Sequence, residues 1–109
     1  MKEESSINET ETETRALEVT QQDIDQGQPN SAQGCPFALA ARRLFPGWNH
    51  VSVAPGWNVT VNIQLHRFGL NTAFEEWAVD AKGTAAVRSY DTGAGMLPGT
   101  YTLTLAERR

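Results

Sequence analysis

The stretch Thr100-Tyr101-Thr102-Leu103-Thr104-Leu105 sets Tyr101, Leu103 and Leu105 on one side of an extended backbone and threonines on the other. A two-residue period of this kind fits a pleated strand with one face buried and one face wet, and it does not fit a helix. The same period returns in Val59, Val61, Ile63 and Leu65, and more briefly in Val51 and Val53. Half-buried strands need something to cover their apolar side. The stretch Phe37 to Phe45 supplies it, because Phe37, Ala40, Ala41 and Leu44 recur at helical spacing. The expected fold is therefore α+β: a small, mainly antiparallel sheet of about four to five strands with two or three short helices on one face. Trp77, Phe37, Leu39, Leu44, Val61, Ile63, Leu103 and Leu105 are the main core candidates.

At 109 residues the chain supports one core and not two. Residues 1–15 alternate Glu with Thr, Ser and Asn around a single large apolar residue, Ile7, so they read as a disordered acidic tail. Residues 16–109 read as one α+β domain. Ala16 to Val19 is a short strand candidate. Thr20 and Asp23 have the spacing of a reciprocal cap, which starts a one-turn helix expected to close at a left-handed Gly27. Residues 28–34 form a loop by composition. Cys35 then falls at the cap of the second helix and Pro36 at its first position, where a missing amide proton is tolerated. Pro46-Gly47 stops that helix.

A nine-residue echo follows, Pro46-Gly47-Trp48-Asn49 and Pro55-Gly56-Trp57-Asn58, each leading into an alternating apolar run. Two turn-then-strand units make a β-hairpin across Ala54-Pro55-Gly56. Residues 74–79 allow two readings: a helix opened by Thr72 and Glu75, or a strand followed by a helix from Asp80.

Cys35 is the only cysteine, so no intramolecular disulfide forms, and the chain has no charged segment followed by an apolar signal-like core. Both point to a cytoplasmic protein. No apolar run approaches the roughly 18 residues that span a bilayer. The first sixteen residues hold Glu3, Glu4, Glu9, Glu11 and Glu13 against Lys2 and Arg15, which leaves a nearly neutral body. Such a body lacks the broad basic field that attracts phosphates, so nucleic acid is a poor partner unless Arg42, Arg43 and Arg67 gather locally.

The chemistry on offer is sparse. A helix N-terminus lowers a thiol pKa, which makes Cys35 the one candidate nucleophile. Pro36 removes an amide that would stabilise the sulfur, and Arg42 and Arg43 lie at the far end of the helix. A cysteine packed under the first turn is the simpler account. His50 and His66 with Cys35 do not match a compact zinc spacing, and an exposed strand position accounts for His50, so no metal is expected. Asp23, Asp25, Glu75, Glu76, Asp80 and Asp91 offer no catalytic pair; capping explains Asp23, and a local turn explains Asp91. No cofactor is implied. Trp48 and Trp57, each after Pro-Gly, can lid a small core or form an exposed aromatic platform rimmed by Arg67, Arg42 and Arg43.

The pattern Val19-Thr20-Gln21-x-Asp23-Ile24-x-x-Gly27, then Cys35-Pro36-x-Ala38-Leu39-Ala40-x-Arg42-Arg43, resembles a group of small uncharacterised proteins encoded by bacteriophages and prophages. Tyr90-Asp91-Thr92-Gly93, Pro98 and Thr100 to Leu105 extend the likeness to about residues 16 to 105. The resemblance implies a helix from Asp80 to Asp91, hence a strand at 74–79, although Gly83 inside it costs about 1 kcal/mol against alanine. It implies a phage or prophage origin and no particular chemistry. The expected role is a non-enzymatic accessory protein that binds a host or phage protein. A cysteine-dependent or redox-sensitive protein built on Cys35 is the alternative, and a nucleic-acid-associated role for the arginines is a further one. The last strand is expected at an exposed edge, open to pairing with another chain.

Overall fold

A computed structural model describes residues 13–55 and 60–109. The elements run β1 (Thr14–Val19), α1 (Gln21–Gln26), α2 (Pro36–Leu44), β2 (His50–Pro55), β3 (Val61–Arg67), β4 (Ala73–Val79), α3 (Ala81–Asp91) and β5 (Gly99–Arg108). The strands form one antiparallel sheet in the order β1-β5-β4-β3-β2. The α+β expectation holds, with the helices backing one face. β1 opens at Thr14, so Thr14 and Arg15 belong to the sheet rather than to a tail ending at residue 15. Most of the acidic segment, residues 1–12, lies outside the described residues, as do Trp57 and Val59.

Register explains the core. Val53 lies opposite Ile63, Ile63 opposite Trp77 and Trp77 opposite Leu105, which makes one apolar row; Val79 and Leu103 belong to the next row, which ends at Arg15 of β1. Phe37 of α2 meets the Tyr101 ring at 4.8 Å, and Phe45 meets Trp77 at 5.4 Å. Of the core candidates, Trp77, Phe37, Val61, Ile63 and Leu103 are buried, while Leu44 and Leu105 are half-buried against that core. Leu39 is only half-buried: α2 turns Phe37, Ala38, Ala40 and Ala41 inward, which leaves Leu39 at the side of the helix.

Two carboxylates pin the helices. Thr20 and Asp23 form the expected reciprocal cap: the Asp23 amide donates to Thr20 Oγ1 at 3.2 Å, and the Thr20 amide donates to Asp23 Oδ2 at 2.8 Å. Both Asp23 oxygens also accept from Arg43 of α2, at 2.5 and 2.7 Å, which locks the two helices together in the two-pronged geometry that suits arginine. Gly27 ends α1 in an extended conformation, not the left-handed one expected. It is glycine because a Cβ there would stand 2.7 Å from Pro36 Cδ and 2.8 Å from the Asp23 carbonyl.

Asp80 does similar work for α3, accepting from the Gly83 amide at 2.6 Å and from the Thr102 amide of β5 at 2.8 Å. Residues 73–79 are thus strand and residues 81–91 helix. The interior Gly83 has a packing reason: a Cβ would stand 2.4 Å from Val79 Cγ1 and 3.1 Å from the Tyr101 ring. Asp91 does not serve a local turn. Its carboxylate accepts from the Asn30 amide at 2.8 Å and so fastens the 28–34 loop to the end of α3.

β5 lies between β1 and β4, so the expected edge at Thr100 to Leu105 is interior; the edges are β1 and β2. Alternation predicts a strand without its neighbours. Pairing of the first strand, β1, along its other side is what puts β5 inside.

Two predictions follow from the packing. Gly83→Ala should lower stability by about 1–3 kcal/mol in urea unfolding although alanine favours helix, because overpacking exceeds the propensity gain. The Arg43 guanidinium holds the Asp23 carboxyl below its usual range, so its stabilisation is complete above about pH 4 and fades as pH falls through the folded value. Asp23→Asn should therefore cost roughly 1.5–3 kcal/mol near neutral pH, and the gap to wild type should close on acidification below pH about 4.

Candidate functional site

At one end of the sheet, on the face the helices leave uncovered, three strands and the residue after β5 contribute one row of side chains. His50 of β2 lies opposite His66 of β3, and His66 lies opposite Phe74 of β4. Phe74 exchanges both backbone hydrogen bonds with Arg109, just beyond β5, at 3.0 and 2.8 Å. Because directly opposed residues share a face, their side chains stack sideways across the sheet. The His50 and His66 rings are 5.6 Å apart edge to face, His66 and Phe74 are 4.8 Å apart, and the Arg109 guanidinium lies 4.4 Å over the Phe74 ring. Phe68, two residues past His66, lies parallel to it at 6.0 Å and is 62 % exposed.

A second stack occupies the opposite side of the same sheet end. Arg67 alternates with His66 and Phe68, so its side chain points to the helix side, where its guanidinium lies 4.4 Å over Trp48. Trp48 is half-buried, with its other side on the core. Asn49 ties the two stacks: its amide donates to the His66 carbonyl at 3.0 Å, and its side-chain oxygen accepts from the Phe68 amide at 2.7 Å. Between the stacks and the β3–β4 turn lies a shallow cleft of about 270 Å³ lined by His66, Phe68, Thr72, Phe74 and Arg109. Leu70, at the tip of that turn, is fully exposed.

The surface carries both charge signs. Arg109 pairs with Glu107 at 2.6 Å; one row inward Glu76 is buried and accepts from the buried Asn62 at 2.7 Å. Exposed rings, guanidiniums already held against aromatic faces and little net charge are the composition of a protein-contact hot spot. They are a poor match to a phosphate-tracking groove.

Of the residues singled out in the sequence, Trp48 and Arg67 do come together. Arg42 and Arg43 diverge. Arg42 donates to the Gln33 carbonyl at 2.5 Å, and the Gln33 side chain reaches His50 at 3.4 Å, so Arg42 sits near the ring row. Arg43 is directed to Asp23 and the Glu18 carbonyl on the β1 side, so the three arginines do not gather into one basic patch. His50 is half-buried within the row rather than exposed, and Ser52 beside it is buried. Among the described residues, no group of three His, Cys, Asp or Glu side chains is arranged to hold a metal ion.

Cys35 caps α2 as expected, but it is 3 % exposed and its side chain makes no cap hydrogen bond. Burial pushes its thiol pKa up, with the Asp91 charge adding to the rise. That is the reverse of what an activated nucleophile needs. Phe68, Phe74 and Arg109 went unnoticed in the sequence because no local motif contains them; only the pairing of β3, β4 and β5 makes them neighbours.

The fold and this surface define a small one-sided α+β protein with an aromatic and arginine-bearing sheet end. Comparison with protein-family models, with curated proteins and with solved structures gives no match.

The buried thiol makes a direct prediction. In the native protein at pH about 8, near a free thiol's ordinary pKa, Cys35 should react with an aromatic disulfide reagent at least about tenfold more slowly than in denaturant. Equal rates would show an accessible thiolate.

Proposed function

We propose that this chain is a phage- or prophage-type accessory protein of the bacterial cytoplasm that acts without catalysis, by binding a protein partner through the ring-and-arginine end of its sheet. The observation that carries the reading is the exposed Phe68 ring set on a cross-strand row that ends in Arg109 over Phe74. His66 and Phe74 are held between neighbours, which removes rotamer freedom before any partner arrives, and Phe68 rests on His66, so less ordering entropy opposes association along the row. The two guanidiniums are likewise held over rings and can still donate hydrogen bonds outward.

The chemistry fits a partner segment with an apolar anchor for the 270 Å³ cleft and an acidic or carbonyl group for Arg109 or Arg67. The cysteine alternative is disfavoured by the burial of Cys35, and the nucleic-acid alternative by the divergence of Arg42 and Arg43. Absence of any helix long and apolar enough to cross a membrane, among the described residues, is compatible with the reading.

The test is affinity capture from a bacterial lysate with wild type, a Phe68→Ala/Arg109→Ala variant and a control, Leu97→Ala, whose side chain is exposed elsewhere. All should keep the same circular dichroism, because exposed substitutions change stability by about 0.5 kcal/mol or less. A stoichiometric protein should be retained by wild type and the control, and weakened more than about tenfold by the double variant, the scale of losing a hot spot. Equal retention by all three would sink the assignment to this surface.

A further inference from the structure

The two edges of the sheet are treated differently. β2 is guarded over part of its length: of its outward positions Val51, Val53 and Pro55, the Val53 amide donates to the Ala32 carbonyl at 2.7 Å and Pro55 has no N–H to offer. β1 is open. The Leu105 amide donates to the Glu13 carbonyl, so in the alternating antiparallel pattern Glu13, Arg15, Leu17 and Val19 bond to β5, and Thr14, Ala16 and Glu18 turn their backbone groups outward. The position of Thr102 agrees. It lies opposite Ala16, and its amide donates to Asp80 instead of to β1. Among the described residues, Arg43 guards this edge, donating to the Glu18 carbonyl at 3.2 Å.

We propose that β1 pairs with β1 of a second copy of this chain, antiparallel about a two-fold axis at Ala16, so that the two sheets become one. The register is set by the outward groups: Ala16 faces Ala16, and Thr14 of each copy faces Glu18 of the other. The strand is self-complementary in that register. On the open face the Thr14 hydroxyl meets the Glu18 carboxylate at both ends, the smallest side chain sits at the axis, and no two like charges oppose one another. On the helix face Arg15 lies opposite Leu17 of the second copy. Glu13, whose carboxylate accepts from Arg108 of its own copy at 3.1 Å, comes opposite Val19, so its charge is already balanced where the strands end. Arg43 does not block the pairing, since a carbonyl oxygen accepts two hydrogen bonds. Room exists beside the strand, in a cleft of about 280 Å³ lined by Ala16, Glu18, Thr20, Ala40, Arg43 and Leu44. A closed isologous pair of this kind uses up the open edge in both copies and ends growth there.

The proposal does not depend on the ring-and-arginine surface. It is tested by sedimentation equilibrium on the full chain with wild type, Ala16→Lys, Ala16→Glu and their equimolar mixture. Wild type should show twice the chain mass, each variant alone should associate at least tenfold more weakly, and the mixture should recover association because lysine then faces glutamate across the axis. Ala16 is exposed, and unchanged circular dichroism should show that the variants fold. Ala16→Pro, which deletes an outward N–H that β5 does not use, should abolish pairing as well. A wild type of single-chain mass up to about millimolar concentration, the weak limit of specific association, overturns the proposal. So do an Ala16→Lys variant that keeps the doubled mass and a mixture that fails to recover it.

Discussion

The three helices cover only one side of the sheet, so every strand is divided between a face that must be apolar and a face that need not be. On the covered side the register brings Leu17, Ile63, Leu65, Trp77 and Leu103 under α2 with essentially no exposure. That contact depends on holding short helices in place, since helices of 6 to 11 residues have little stability of their own. Asp23 fixes α1 to α2 and Asp80 fixes α3 to β5, each by spending one carboxylate on a cap and on a long-range partner at once. On the uncovered side Ser52, Asn62 and Glu76 are buried, and only toward the His66 end do the side chains become half-buried or exposed and so available for contact.

How much of this was legible in the sequence follows from the range of each interaction. Capping by Thr20 and Asp23, the helix opening at Pro36 and the alternation in β3 and β5 are local, and they read directly. Residues 74–79 are ambiguous because Thr72 and Glu75 have the spacing of a helix cap and Phe74, Trp77 and Ala78 share a helical face, while the same stretch also reads as a strand; only likeness to other chains favours the strand. The Gly83 cost was visible, but its cause, the approach of Val79 and Tyr101, was not. Gly27 misled for the same reason: the contact is with Pro36, nine positions away.

The candidate site was legible only in part. Trp48 and Arg67 were named from residue type, and they do stack. His66, Phe74 and Arg109 are separated by up to 43 positions and become a row only through strand order, which alternation does not encode. Cys35 shows the opposite failure. Its position at a helix start is correct, yet burial against the core outweighs the nearby Ala38 and Phe37 amides and reverses the pKa direction that position suggests.

The two surfaces argued from the structure are connected by geometry. The ring row runs from β2 to the end of β5 at one end of the sheet, whereas β1 is the far edge. A two-fold axis perpendicular to the sheet at Ala16 leaves both uncovered faces on the same side and places the two ring rows at opposite corners. Such a pair would present two identical contact surfaces at a fixed separation. A partner with repeated sites, or one that is itself symmetric, would then bind the second surface as an intramolecular step, gaining avidity without any new contact. A modest patch with one exposed ring and two guanidiniums is the kind of surface for which that gain matters, because area alone gives little affinity.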